Sequence, residues 1–213
     1  PAPEKISKGK FEDIKHNKNN LKSITKSKFN PHRKIEKPAI FFIRGLELFG
    51  NDGGGMKEMS DNVTDGKYYS WQQQDKMITE IMKRPAHQPV ILIGHGMGSD
   101  TAVEISNELN SASHGFKKID LLVTLDSIGF NNDIIPQNVA KNINYITDGS
   151  SFLSDAPNIA RKTEETEVIN HLSSEDHGDL IESSDVQFKI FDSINTALIE
   201  KTLKKVDLEL INH

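Results

Sequence analysis

Residues 89–101, PVILIGHGMGSDT, join a short apolar run to a glycine-rich turn and to the polar start of a further segment. The run VILI is too short for a helix and rich in β-branched residues, so it predicts a strand that is buried on both faces. Gly94 and Gly98 bracket the turn, and apolar residues recur at helical spacing from Ala102 to Leu109. The stretch therefore predicts a strand, a sharp turn and a helix, and the other elements are placed around it.

Further apolar runs predict strands at residues 39–43, 119–125, 139–146 and 167–172. Helical patterns separate them, and residues 185–203 predict a helix that covers the sheet. Strands that alternate with helices predict an α/β fold with a mostly parallel sheet and helices on both faces. Tyr68, Tyr69 and Trp71 are interpreted as a short bridge between two helices whose aromatic rings pack rather than line a pocket.

The charge distribution divides the chain into two parts. Residues 1–37 carry 11 Lys or Arg against 4 Asp or Glu, whereas the remainder carries 15 against 27. We interpret residues 1–37 as a basic leader, extended or partly mobile, because its few apolar residues bury little surface. Residues 38–213 are expected to form one domain. The leader is interpreted as a solvated segment, with contact to an anionic surface as the alternative; nucleic acid is not expected, because only Phe11 and Phe29 could stack on bases.

Cellular location stays open on the sequence. No apolar run approaches the roughly 20 residues that cross a bilayer, so the chain is expected to be soluble. It begins with Pro-Ala-Pro rather than methionine, and a removed secretion signal is one explanation. The absence of cysteine neither supports nor excludes export, because a domain of this size needs no disulfide.

The turn Gly-His-Gly-Met-Gly at residues 94–98 resembles the nucleophile elbow of the α/β-hydrolase fold, G-x-S-x-G, and is similar to the GHSMG form of lipases and esterases. In this resemblance Gly96 stands at the position of the nucleophilic serine. The loop after the first strand, RGLELFG, resembles the loop that supplies one oxyanion donor. The resemblance implies that Met97 and either Leu46 or Gly45 donate backbone N–H groups to the oxyanion.

The resemblance also implies an acid and a base. Asp126 ends the strand at 119–125, and the segment LVTLDSIG resembles the acid segment of lipases. Asp148, after the next strand, is the rival acid. His177, in DHGDLI after the last strand, takes the place of the general base, a role that suits imidazole near neutral pH. Position 96, Asp126 and His177 follow the order of nucleophile, acid and base in this family.

Metal sites and phosphate-binding loops have less support in the sequence than the hydrolase-like site. His171, Glu175, Asp176 and Asp179 lie near His177 and raise a metal site as an alternative, but HExxH is absent. The glycines form neither G-x-x-x-x-G-K-[ST] nor G-x-G-x-x-G, so a phosphate-binding loop is not expected. We therefore expect neither a metal nor an organic cofactor.

The resemblance implies a carboxyl-ester hydrolase that acts on small acyl esters or lipids, yet glycine cannot form an acyl-enzyme. The chain is therefore expected to be inactive. Either an engineered substitution replaced the serine, which we favour, or the chain is a natural pseudoenzyme that binds an acyl ligand or a protein partner. As a third alternative, Ser99, Ser127 or Ser150 acts as the nucleophile; Ser99 is expected to point away from the oxyanion donors, because it lies further along the helix.

Overall fold

The computed structural model describes residues 35–46, 54–128, 133–147 and 156–211. Its strands within these ranges are β1 (Ala39–Arg44), β2 (Gly66–Ser70), β3 (Val90–His95), β4 (Leu121–Leu125), β5 (Ile134–Ile135), β6 (Lys141–Thr147), β7 (Ile159–Ala160) and β8 (Glu167–Ser173). Its α-helices are α1 (Gly55–Asn62), α2 (Gln74–Met82), α3 (Met97–Leu109), α4 (His177–Leu180) and α5 (Ser184–Ile211). Most of the basic leader, residues 1–34, lies outside the described part.

The central sheet has the strand order β2-β1-β3-β4-β6-β8, and each neighbouring pair in it is parallel. The mostly parallel sheet predicted from the sequence is therefore confirmed. After β2 the chain returns past β1 to form β3, so the direction of winding reverses between β1 and β3. In doubly wound sheets, the crevice at the carboxyl ends of the strands on either side of this reversal is where ligands bind.

Helices cover both faces of the sheet, as predicted. Alternate residues of a strand point to opposite faces, so Phe41 and Leu92 pack with α2 and α3. Phe42 and Ile93 pack on the other face with α1 and α5. All four of these side chains are fully buried, and each is worth roughly 1.5–3 kcal/mol of stabilisation. The core thus fixes the positions of β1 and β3, whose carboxyl ends lie at this reversal.

The short bridge predicted around Tyr68 and Tyr69 is wrong, because these residues lie in β2, an edge strand paired with β1. Tyr69 is buried, and its ring meets that of Phe41 edge to face at 4.9 Å. The five residues GKYYS begin with glycine and contain lysine, so they form neither the apolar run nor the apolar alternation that predicts a strand. Pairing with β1 supplies the hydrogen bonds that the local sequence does not predict.

The covering helix is longer than the predicted residues 185–203 and continues to Ile211. Its buried residues end at Ala197, and Leu203, which was expected to pack, is 58% exposed. Beyond Ala197, the large apolar side chains Ile199, Leu203, Val206, Leu208, Leu210 and Ile211 are 45–80% exposed. Among the described helices, none is both long enough and apolar enough to cross a membrane.

Polar side chains replace an apolar core on one face of β4 and β6. Asn144 Oδ1 accepts a hydrogen bond from Thr124 Oγ1 at 2.8 Å, and Asn142 Nδ2 donates to the Leu122 carbonyl at 3.1 Å. Asn158 then donates to Asn142 Oδ1 at 2.9 Å. Because each of these buried amides has a partner, the network ties the strands together without an uncompensated desolvation penalty.

Candidate active site

Gly96 forms the sharp turn between β3 and α3. Its φ is 54° and its ψ is −126°, a conformation that residues with a side chain rarely adopt. The Gly96 N–H donates to the Leu125 carbonyl at 3.0 Å, and the Gly96 carbonyl accepts from the Ser99 N–H at 2.9 Å. The turn is therefore fixed from both sides, at the carboxyl end of β3.

Three neighbouring glycines allow the backbones around this turn to approach one another. A Cβ added at Gly98 would lie closer than 3.0 Å to the Ile43 carbonyl oxygen, and one at Gly94 would be as close to the Gly98 carbonyl oxygen. A Cβ at Gly45 would lie 2.8 Å from the His95 carbonyl oxygen. Only glycine permits such contacts, so the elbow depends on these positions for its packing against β1.

His177 and Asp126 are joined by a hydrogen bond of 2.5 Å between Nδ1 and Oδ2. Asp126 directly follows β4, whereas His177 begins α4 after β8. Because a carboxylate only accepts, the bond assigns the proton to Nδ1 and leaves the lone pair of the imidazole on Nε2. The His177 side chain is 45% exposed, while that of Asp126 is 8% exposed. A buried carboxylate thus orients a histidine that remains open to solvent.

Asp126 is held in place by contacts on both sides of its side chain. Its Oδ1 accepts a hydrogen bond from Thr147 Oγ1 at 2.8 Å, and its backbone N–H donates to the Tyr145 carbonyl at 2.8 Å. Burial alone would raise the pKa of Asp126, but the hydrogen bonds from His177 and Thr147 outweigh it and hold the pKa below its ordinary value. The carboxylate is therefore ionised at neutral pH.

The backbone of Asp126 is strained, with a φ of 42°. Asp100 in α3 holds the chain that follows: its carboxylate accepts from Ser127 Oγ at 2.5 Å and from the Ile128 N–H at 3.3 Å. Since strain persists only where the surroundings impose it, Asp100 helps to aim the Asp126 side chain at His177. The sequence analysis did not single out Asp100, because a polar residue in the first turn of a helix is ordinary.

His177 faces the position above Gly96. An ideal Cβ built on Gly96 would lie 3.4 Å from His177 Cε1, 3.5 Å from His177 Nε2 and 3.9 Å from Ile128 Cδ1. These are ordinary contact distances. An oxygen one bond beyond such a Cβ could reach the roughly 2.6–3.2 Å from Nε2 that a nucleophile and its base require.

The elements predicted as the oxyanion hole also meet at this turn. Met97 is the first residue of α3, so its N–H has no acceptor within the helix. A Cβ on Gly45 would lie 3.0 Å from the Met97 nitrogen, which places the end of β1 beside this donor. Leu46 follows and is exposed. The next residues, 47–53, lie outside the described part of the chain.

His95 is a buried member of the site that the sequence analysis treated only as part of the elbow motif. Its Nε2–H donates to the His177 backbone carbonyl at 3.1 Å, and the two imidazole rings lie 4.3 Å apart. Burial, together with the smaller effect of the neighbouring His177, lowers the pKa of His95 to about 4. His95 therefore stays neutral at pH 7 and anchors the start of α4.

We expect His95 to make the protein sensitive to acid. Between pH 6.5 and 4 the unfolded chain binds a proton at this residue and the folded chain does not, so the free energy of unfolding falls as the pH falls. The loss should total about 3 kcal/mol. Urea unfolding across this pH range should show a clearly shallower loss for His95→Gln than for the unaltered chain. Equal losses in His95→Gln and the unaltered chain would contradict the expectation.

The alternative residues occupy other environments. Ser99 Oγ is buried within reach of the Gly94 and Leu125 carbonyls, at 2.8 and 3.1 Å, and Ser127 donates to Asp100. Ser99 therefore supports the backbone, whereas the Ser127 hydroxyl binds the Asp100 carboxylate. Asp148 and Ser150 lie outside the described residues. Over residues 35–46, 54–128, 133–147 and 156–211, no three His, Asp or Glu side chains converge as a metal site; His171 stacks on Tyr145.

The structure thus brings together Gly45, Gly96, Met97, Asp126 and His177 at the carboxyl edge of the sheet. No protein-family model matches the chain. A search of curated proteins likewise gives no match.

Proposed function

We propose that this chain carries the site of a serine-type carboxyl-ester hydrolase, similar to lipases and esterases, in which Gly96 occupies the place of the nucleophile. One observation carries the proposal: the ideal Cβ of residue 96 lies 3.5 Å from His177 Nε2, while Nδ1 of the same ring holds Asp126. A serine here would have its base and the orienting acid of that base already in position.

The expected substrate is a small acyl ester or a lipid. The Met97 N–H lies at the positive N-terminus of α3, where the oxyanion of a tetrahedral intermediate gains most from it. Leu46, which is 46% exposed, and the half-buried Met97 and Ile128 offer apolar surface beside the turn. An acyl chain fits against this apolar surface, because the contact removes apolar area of both from water.

Glycine at position 96 interrupts the chemistry at its first step. Without a hydroxyl no acyl-enzyme forms, and the loss of a nucleophile costs about 10⁶-fold in kcat in a serine protease. The unaltered chain should therefore bind acyl esters and turn them over very slowly. The second candidate, a pseudoenzyme that binds an acyl ligand or a protein partner, is supported by the glycine itself, since a φ of 54° costs glycine less than serine.

A fluorophosphonate probe for serine hydrolases tests the proposal without knowledge of the acyl preference. We expect the Gly96→Ser protein to gain one adduct at the introduced serine in intact-mass and peptide analysis, because His177 would activate the new hydroxyl. Gly96→Ala should remain unlabelled, and Gly96→Ser combined with His177→Ala should react much more slowly. A folded Gly96→Ser protein without an adduct would overturn the proposal, and labelling of the unaltered chain would assign the chemistry to another serine.

A further inference from the structure

Glycine at position 96 leaves the proposed general base, His177, in place. It removes only the hydroxyl group from which that base would take a proton. His177 keeps its hydrogen bond to Asp126, and the nearest heavy atoms to the ideal Cβ position of Gly96 lie at 3.4 Å or beyond. Within the described part of the chain, no side chain therefore occupies the place of a serine Cβ, and an oxygen one bond further out would meet His177 Nε2. Resting on the proposed function, we propose that the unaltered chain transfers an acyl group from an ester directly to a short primary alcohol or to water held against His177 Nε2, without a covalent acyl-enzyme.

The geometry defines what the acceptor must be. Its oxygen has to lie within hydrogen-bonding distance of Nε2 and in van der Waals contact with the Gly96 Cα, a carbon that carries no side chain. Ile128 Cδ1, 3.9 Å from the ideal Cβ position, bounds the space on another side. A hydroxyl on an unbranched carbon fits such a place, whereas a tertiary alcohol brings three methyl groups against His177 and Ile128.

The reaction balances without any further reagent. The alcohol oxygen attacks the ester carbonyl carbon while His177 Nε2 takes the hydroxyl proton, and the carbonyl π electrons move to the oxygen beside the Met97 N–H. The tetrahedral intermediate then collapses, the bond to the original alkoxy group breaks, and Nε2 returns its proton to the departing oxygen. An ester and an alcohol become a new ester and a new alcohol; with water as acceptor, the products are an acid and an alcohol.

The way in which Asp126 and His177 are held favours general-base catalysis over simple ligand binding. Asp126 is ionised and strained into a φ of 42°. Thr147 and Tyr145 hold it there, together with the hydrogen bonds that Asp100 accepts from Ser127 and Ile128 in the chain that follows. His95 fixes the backbone carbonyl of His177. An oriented imidazole of this kind contributes typically about 10²–10⁴-fold through proton transfer. That contribution does not depend on whether the attacking oxygen is bonded to the protein.

The test incubates the unaltered chain with a p-nitrophenyl ester of a short acid in buffer that contains deuterated methanol, and measures the deuterated methyl ester by mass spectrometry. We expect enzyme-dependent methyl ester that rises with methanol concentration and falls about 10²-fold or more in His177→Ala. Asp126→Asn should also lower it, and tert-butanol should give no corresponding ester. Intact-mass spectra during turnover should show no acylated protein.

The outcomes separate this inference from the proposed function. Methyl ester formed no faster by the unaltered chain than by a folded His177→Ala protein would overturn the inference. If Gly96→Ser then hydrolyses esters, only the hypothesis of direct acyl transfer is rejected and the proposed function is retained. If Gly96→Ser is also inactive and unlabelled by the fluorophosphonate, both fall. An acyl adduct on the unaltered chain would likewise overturn the inference, because it would reveal a covalent route.

Discussion

Replacing Gly96 with serine is expected to raise the kcat for ester hydrolysis above that of the unaltered chain by about 10³-fold or more, with about 10⁶-fold as the upper range. The base, its acid and the Met97 N–H are already placed around the missing hydroxyl. A side chain at a φ of 54° and a ψ of −126° costs roughly 1–3 kcal/mol. A 10⁶-fold gain corresponds to about 8 kcal/mol of transition-state stabilisation, so the strain does not outweigh it.

Release of p-nitrophenol from short acyl esters measures the effect. Gly96→Ala is the matched control, because it carries the same backbone strain and no oxygen. Adding His177→Ala to Gly96→Ser should abolish the gain, and adding Asp126→Asn should reduce kcat by about 10⁴-fold by favouring the wrong tautomer of the imidazole. A Gly96→Ser protein that is folded, as judged by circular dichroism, and no faster than Gly96→Ala would refute the assignment of position 96.

Replacing Gly98 with alanine is expected to lower the free energy of unfolding by about 3 kcal/mol or more. The new methyl group would lie closer than 3.0 Å to the Ile43 carbonyl oxygen and 2.8 Å from the Ile43 carbonyl carbon. Both atoms belong to the backbone of β1, which is paired on both sides, so neither moves cheaply. The clash forces α3 away from the sheet and exposes the apolar contacts between them.

Urea unfolding at neutral pH gives the comparison, with Gly96→Ala as control. Among the described atoms, that methyl group meets none nearer than 3.4 Å, so its cost should be limited to the roughly 1–3 kcal/mol of the strained backbone. The same substitution two residues apart thus separates steric overlap from backbone strain. Equal losses in the two variants would show that close packing of α3 on β1 does not hold the elbow.

Strands with a clear local run of apolar residues were predicted correctly from the sequence, and the strand without such a run was not. The runs AIFFI, VILIGH and LLVTL carry enough buried apolar residues to define β1, β3 and β4 before any coordinates are known. The strand GKYYS carries no such pattern, because its hydrogen bonds come from pairing with β1. The resemblance to lipases, through chain order and the segment LVTLDSIG, predicted Asp126 and His177 as acid and base, with Asp148 as the rival acid. The Asp126 and His177 side chains do meet.

Other parts of the site depend on residues far apart in the chain, and no local pattern encodes them. The contact of His95 with His177 joins residues 82 positions apart, and the hydrogen bond from Ser127 to Asp100 spans 27. A histidine beside a glycine turn and an aspartate in a first helical turn are common in any protein. Their roles become visible only when the carboxyl ends of β3, β4 and β8 share one edge of the sheet.

The α/β class, the parallel sheet and the turn at Gly96 could be predicted from the residues alone, because buried strands and glycine turns leave patterns within short stretches of sequence. The folded chain was needed to show that the side-chain position above Gly96 faces His177 Nε2 at 3.5 Å, with Asp126 on the opposite nitrogen of that ring. Three chain segments must be brought to one edge for that geometry, and the packing of helices on both faces of the sheet brings them there.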